Sequence, residues 1–464
     1  MSQRATSGLG ACCMALAMVL ALALQGCATR TEPVVRTVEP PAGWQGQGGQ
    51  AATQADWWTA FGDPVLTRYV QQALLHNSDL RLASARVAEA RAIAAATHGA
   101  ELPSLDFGAG AQRSRSIFVV TGKPYLSTVW QEQFQASYEV DLWGRVKALG
   151  DAADASLMAS VATRDAAALS VAAATASAYI GLRALDERLD LARRTLVSRE
   201  AALALARSRQ QQGYASKLEL AQAESEYRAT AQAVPQLELA ASRAEHALRL
   251  LMGATPRAVE RGTTLSAITL PALPDAGLPS ALLQRRPDIA ASESQVVASD
   301  AQLAVAKAQL LPSLRLTASL GTAGANVLHG DPFTLWSLGG SVLAPIFNGG
   351  RLRAQVEAGA SRRDQALIGY EKTVLTAFAE VEDQLAALSL IERQALELEA
   401  QRVAAQDALR IAHNRFRAGY ASYLEELDAQ RSLFGVEQTA VQLRADLLSA
   451  HVNLYRALGG GWGR

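Results

Sequence analysis

The sequence predicts an α+β membrane protein assembled from two internal repeats, each a helix, a β-hairpin and a long helical hairpin. Three observations predict it. The first is duplication. Gly213-Tyr214-Ala215-Ser216 returns as Gly419-Tyr420-Ala421-Ser422, and Leu102-Pro103-Ser104-Leu105 returns as Leu311-Pro312-Ser313-Leu314. Asn77-Ser78-Asp79-Leu80 returns loosely as Arg286-Pro287-Asp288-Ile289, and Arg145 as Arg351. The marks keep one order at offsets of 206 to 209 residues. Solenoid repeats have periods of ~20–50 residues, so this is a duplicated structural half. The second observation is a switch to two-residue alternation in each half. The third is the long stretch without proline that follows each alternating region.

The N-terminus comes first. Arg4 precedes an apolar run from Leu9 to Leu24, which ends at Leu24-Gln25-Gly26-Cys27. That run is short for a membrane span of ~20 residues. Residues 1–26 therefore read as a lipoprotein signal peptide, and Cys27 as the lipidated first residue of the mature chain. Ala28 after it fits sorting to the outer membrane. Cys12 and Cys13 would be removed with the signal, so no disulfide or cysteine-based zinc site remains. Residues 27–55, rich in Pro, Gly, Gln and Thr, read as a lipidated tether.

Repeat 1 covers residues 56–252. Asp63 is placed to cap a helix with Pro64 at its first position, and the pattern runs to about Ala100. From Thr128 to Leu142, Trp130, Phe134, Ala136, Tyr138, Val140 and Leu142 alternate with Gln, Ser, Glu and Asp; only Glu132 breaks the apolar row. This is a strand with one apolar face. Its partner carries Leu105, Phe107, Ala109 and Ala111, with Gly122-Lys123-Pro124 in the connection. Residues from about Arg145 to Gln212 contain no proline and predict one helix of ~100 Å at 1.5 Å per residue. A turn at Gly213 leads to a helix from about Ser216 to Met252, in which Pro235 should produce a kink or a local defect.

Residues 253–280, with several prolines and glycines, form a linker. Repeat 2, residues 281–464, copies the first: a helix over 281–309, strands with Leu314, Leu316, Ala318 and Leu320 and with Trp336, Leu338 and Val342, a helix from about Arg351 to Ala418, a turn at Gly419 and a helix from about Ser422 to Leu458. Laid end to end, the shorter helices match the long ones in length. No later stretch is a long enough apolar run for a transmembrane helix, so a membrane crossing must use a closed β-barrel. The strands have the ~9–11 residues and the apolar-out alternation of such barrels. Four strands cannot close one, since ~8 is the smallest usual number. Neighbouring copies must complete it: two give eight strands, three give twelve. The object deduced is a symmetric conduit.

The chain resembles the TolC/OprM-type outer-membrane channel family, nearest its NodT-like lipoprotein branch. The resemblance rests on the Cys27 lipobox, Trp57-Trp58 with Phe61-Gly62-Asp63-Pro64, the segment Asn77 to Ala92, and Tyr138-Glu139-Val140-Asp141-Leu142-Trp143-Gly144-Arg145. It rests also on Arg285-Arg286-Pro287-Asp288-Ile289, Pro345-Ile346-Phe347-Asn348-Gly349-Gly350-Arg351 and residues 415–432. It implies a homotrimer with a shared 12-stranded β-barrel and a long α-helical periplasmic barrel. It further implies a passive export duct for small, drug-like or organic solutes. The partners implied are a periplasmic adaptor, an inner-membrane pump and outer-membrane lipid.

The turns Gly213-Tyr214 and Gly419-Tyr420 then lie at the end away from the strands. The resemblance makes them the adaptor-docking tip. It makes Leu424, Asp428 and Arg431 periplasmic gate residues; spacing puts Leu424 and Asp428 on one helix face and Arg431 within reach of Asp428. Ser422 is placed as an N-cap. Repeat 1 keeps Leu218 but has Gln222 and Ser225 in place of the charged pair.

Other chemistry is not announced. Net charge is zero, so no basic face for nucleic acid is indicated. There is no phosphate loop and no nucleophile–base signature, so no enzyme is expected. His76, His98, His246, His329, His413 and His451 lack ligand spacing, and no cofactor or metal is expected beyond the lipid on Cys27. Two alternatives stay open: a lipid-anchored coiled-coil spacer or adaptor, and, within the channel class, protein secretion or metal efflux.

Overall fold

The fold was analysed in a computed structural model that describes residues 38–46, 48–51, 54–118, 122–326 and 332–461. Cys27, the expected signal peptide and residues 28–37 of the expected tether lie outside the described residues. The described chain divides into two compact units, one formed by residues 90–157 and 294–368 and the other by the remainder.

The first unit holds a four-stranded antiparallel sheet in the order β1 (Ser104–Phe118), β2 (Lys123–Val140), β3 (Ser313–Ala325), β4 (Phe333–Leu343). The register stacks the predicted apolar residues in cross-strand rows. Phe107 opposes Phe134, which opposes Leu320, which opposes Trp336. Leu105, Ala136, Ala318 and Leu338 form the next row. The Phe107 and Phe134 rings lie 5.0 Å apart. Because side chains alternate, Gln133, Gln135, Ser319 and Ser337 share the other face, where the Ser319 and Ser337 hydroxyls are 2.8 Å apart. Glu132, the one acid in the apolar row, accepts a hydrogen bond from Thr322 Oγ1 at 3.0 Å. β2 begins earlier than expected, at Lys123, and ends at Val140, because the chain turns through Gly144 at φ 72°. Trp143 Nε1 fixes that turn by donating to Pro312 O at 2.6 Å.

The apolar face is exposed in the single chain: Trp336 is 76% and Leu338 79% accessible. The outer edges of β1 and β4 have no strand partner among the described residues.

The helices repeat in length. α3 (Arg145–Gln211) and α7 (Arg351–Arg417) have 67 residues each, and α4 (Lys217–Leu251) and α8 (Tyr423–Ala457) have 35 each. The two expected helices over 64–100 and 281–309 are each broken in two. α1 (Pro64–His76) gives way to α2 (Ser78–Gly99) at Asn77, whose ψ of 133° leaves the helical region. Asn77 Oδ1 then caps α2, accepting from Asp79 N at 2.8 Å, while Nδ2 donates to Leu251 O at 2.9 Å. α5 (Pro279–Arg285) gives way to α6 (Pro287–Ala308) at Arg286, because a residue before proline is pushed out of the α region. The loosely repeated sequence mark is therefore a repeated helix break. α4 continues through Pro235, which is exposed, so the carbonyl left without a donor lies on a solvated face.

The second unit carries the main core. Trp57, Phe61, Leu66, Tyr69, Tyr179, Ile180 and Leu248 are buried in one cluster, and Leu282, Phe378, Val381 and Leu454 in another. Asp63 caps α1 as expected and does more. It accepts from Val65 N (2.7 Å), Leu66 N (3.1 Å), Tyr179 Oη (2.8 Å), Thr263 N (3.1 Å) and Thr263 Oγ1 (2.9 Å). This ties α1, α3 and the linker together. Contrary to the expectation that no later stretch is apolar enough to cross a membrane, α3 includes one with mean hydropathy 1.3; its Ala172, Ala173, Ala176 and Ile180 are core residues here. Part of the expected tether is also held. Gly49 N donates to Pro274 O at 3.0 Å, Asp275 N to Ala51 O at 2.8 Å, and Trp44 Nε1 to Gly277 O at 2.9 Å.

Candidate functional site at the helical-hairpin turns

Both turns close their helices in the same way. Gly213 has φ 78° and Gly419 φ 80°. Tyr214 N donates to Arg209 O at 2.8 Å and Tyr420 N to Arg415 O at 2.8 Å. A left-handed glycine followed by a six-to-one hydrogen bond is the Schellman ending. It leaves Tyr214 and Tyr420 each 80% exposed, two matched phenols projecting from the turns. The caps that start the next helices differ. Ser216 Oγ accepts from Glu219 N at 3.1 Å. Ser422 holds the expected N-cap position of α8 with an extended backbone but makes no side-chain cap bond among the described residues.

The face of α8 opposite the gate candidates packs inward. Tyr423 and Leu427 join Leu203, Ala206 and Ala223 in a small core, and the Phe416 and Tyr423 rings lie 5.7 Å apart. Arg209 sits over the Phe416 ring at 4.8 Å, a cation–π contact. Leu424, Asp428 and Arg431 lie together on the exposed side of α8. Leu218 in repeat 1 is likewise exposed.

The expected Asp428–Arg431 pair is replaced by another. Arg431 Nε donates to Glu226 Oε1 of α4 at 2.9 Å, and Nη2 also contacts that oxygen. The bond to Glu226 raises the Arg431 pKa, with Asp428 a weaker contributor. Geometry decides this: Glu226, mostly shielded by the helices, offers a fixed acceptor, whereas Asp428 points to solvent.

Beneath that pair lies a polar cluster the sequence reading did not single out. Arg199 of α3 is buried and donates to Gln430 Oε1, with Nη2 3.8 Å from Glu226. Glu426, also buried, accepts from Gln430 Nε2 at 3.1 Å and lies 2.8 Å from His413 Nδ1. Burial lowers the Arg199 pKa and raises that of Tyr423. Among the described residues, the Tyr423 hydroxyl and Arg199 Nε have no hydrogen-bond partner. The signal was present: Glu426 and Gln430 sit on the same helical stripe as Tyr423 and Leu427. A cavity of about 920 Å³ opens beside them, lined by Arg209, His413, Phe416, Tyr423 and Gln430. No group of three metal-ligating side chains occurs among the described residues. The arrangement clips helices together; it holds no nucleophile–base pair.

An apolar-faced hairpin sheet, two equal long helical hairpins and a clipped turn region define a channel subunit of the outer-membrane efflux class. The chain belongs to the outer membrane efflux protein family, whose sequence profile matches residues 69–254 and 278–460. It is 35% identical over 458 residues to the pyoverdine export outer membrane protein OpmQ of Pseudomonas putida, covering 96% of each chain. It is 34% identical over 469 residues to the toluene efflux pump outer membrane protein TtgF of Pseudomonas putida, again covering 96% of each. Among solved structures, the outer-membrane channel OprN superposes with a TM-score of 0.87 at 30% identity, covering 94% of this chain and all of that one. The open-state MtrE channel of Neisseria gonorrhoeae gives 0.79 at 29% identity, covering 93% and 97%. This chain is accordingly the outer-membrane channel component of an efflux system.

Proposed function

We propose that three copies form a homotrimeric duct with a shared twelve-stranded barrel and a helical barrel in the periplasm. A lipid on Cys27 anchors it, and a periplasmic adaptor and an inner-membrane pump complete it. The observation that carries this reading is the four-stranded sheet with one exposed apolar face and two unpaired edges. Unpaired strand edges are not tolerated in lipid, so the edges must meet those of other copies. The channel is passive and carries small organic solutes, in keeping with relatives named for pyoverdine export and toluene efflux.

The test is direct. Cysteines introduced on the outer edges of β1 and β4 should crosslink to trimers, and the purified oligomer should conduct in planar bilayers. A monomer without conductance would reject the reading. A strain lacking this chain and its paralogues should gain sensitivity to amphipathic toxicants.

A further inference from the structure

We propose that the outer face of β1 carries a binding site for phosphorylated glycolipid of the outer leaflet, formed by Arg113 and Arg115. The inference rests on the barrel reading above, in which the apolar sheet face meets lipid.

The register places these side chains. Leu105, Phe107, Ala109 and Ala111 line the apolar face of β1, and alternation puts Arg113 and Arg115 on that same face. Arg113 opposes Thr128 and Arg115 opposes Leu126. Both arginines are exposed. The opposite face carries Gln112, Ser114 and Ser116, so the cationic charge of this strand is on the lipid side and not on the lumen side.

Their height fits a headgroup layer. Strands rise ~3.3 Å per residue, and a tilt of ~40° leaves about 2.5 Å along the membrane normal. Counted from Ser104 at the base of β1, Arg113 stands roughly 23 Å up and Arg115 roughly 28 Å, against an apolar band of ~25 Å. The neighbouring strands turn more polar toward this end of the face: on β2, Glu132 and Thr128 flank Trp130, which packs over Gly324, and on β3 and β4 Thr322 and Thr334 pair beside Glu132, while Leu126 faces Arg115. Arg113 lies two residues and Arg115 four residues beyond the level of Trp130, at the upper margin of the apolar band, where a charge on the lipid face costs little.

Among the described residues neither arginine forms an ion pair. The one carboxylate in this face, Glu132, lies opposite Ala109, four residues along β2 from Thr128, and is engaged by Thr322. Two guanidiniums spaced i,i+2 on one strand face can each grip phosphate oxygens bidentately. Joining of β1 to a neighbouring copy would use backbone groups and leave this face free.

The test uses the detergent-purified full-length oligomer, with native mass spectrometry of bound lipid. The probes are diphosphoryl lipid A, its dephosphorylated form, and phosphatidylglycerol. The wild type should retain diphosphoryl lipid A at least ten-fold better than the other two, and R113Q/R115Q should lose that preference, with bilayer conductance unchanged. Equal retention by the variant, or equal retention of phosphatidylglycerol by the wild type, overturns the site while a conducting trimer leaves the barrel intact. Loss of oligomer or conductance in the wild type overturns the barrel reading, and the lipid site with it.

Discussion

Arg431 and Glu226, separated by 205 residues of sequence, meet at 2.9 Å and join the last helix of one repeat to the last helix of the other. Repeat 1 alone supplies the acid and repeat 2 alone the base. The pair therefore holds the two hairpins together at their turn ends, where the sequence spacing had suggested a contact within one helix.

Breaking that contact should loosen the turn region without unfolding the protein. Arg431 is half exposed, and such pairs contribute at most about 1 kcal/mol. E226Q and R431A should each shift thermal unfolding by no more than a few degrees. Both should raise conductance in planar bilayers several-fold, and the double variant should add little to either. Unchanged conductance in both single variants would remove these residues from any gate.

Gly419→Ala should cost about 1 kcal/mol. The cost is backbone strain alone: φ is 80° and no atom lies within 4 Å of the position a Cβ would take. Faster amide exchange at Tyr420, whose N–H closes the turn, is the expected readout. Asparagine at 419 should be tolerated better than alanine.

Asp63→Asn should destabilise by about 2–3 kcal/mol. Its Oδ2 accepts from Tyr179 and from both Thr263 donors, and an amide nitrogen there would face hydrogens. Burial raises the carboxyl pKa, but the bonds from Tyr179, Leu66, Thr263 and Val65 outweigh it and hold it below its ordinary 3.8. Stability from this group is complete above pH 3.8 and is lost as pH falls through the lowered value. Chemical denaturation at stepped pH should show that loss in the wild type and not in the variant.

His451 gives a second acid-sensitive window. It is buried, with Nδ1 3.0 Å from Leu447 O. Desolvation lowers its pKa below 6.5, against a smaller upward effect of that bond. The unfolded chain takes up a proton first as pH drops below 6.5, so stability declines from there until the lowered folded value is reached. His451→Gln should flatten this part of the stability curve.

Much of the fold was legible because it depends on local periodicity. The Asp63 cap, the strand alternation and the glycine turns are encoded within a few residues of each other. The breaks at Asn77 and Arg286 were half legible: the duplicated marks were seen, but an Asn whose side chain caps the following helix leaves no gap in the apolar pattern. Arg286-Pro287 did carry the signal, in the restriction proline places on its predecessor. The turn-region cluster was least legible. Arg199, Glu226, Glu426 and Gln430 come from three helices, and nothing local distinguishes a charged residue that finds a distant partner from one facing water.

The matched helix lengths constrain how this chain can change over time. Each long helix and its return helix have the same residue count in both repeats. An insertion of one helical turn in α3 alone would carry its Gly213 turn ~5.4 Å out of step with Gly419 and separate Glu226 from Arg431. Growth or shortening must arrive in twos, so lineages that adjust the reach of this protein should carry length changes paired between the halves, while single substitutions accumulate independently in each.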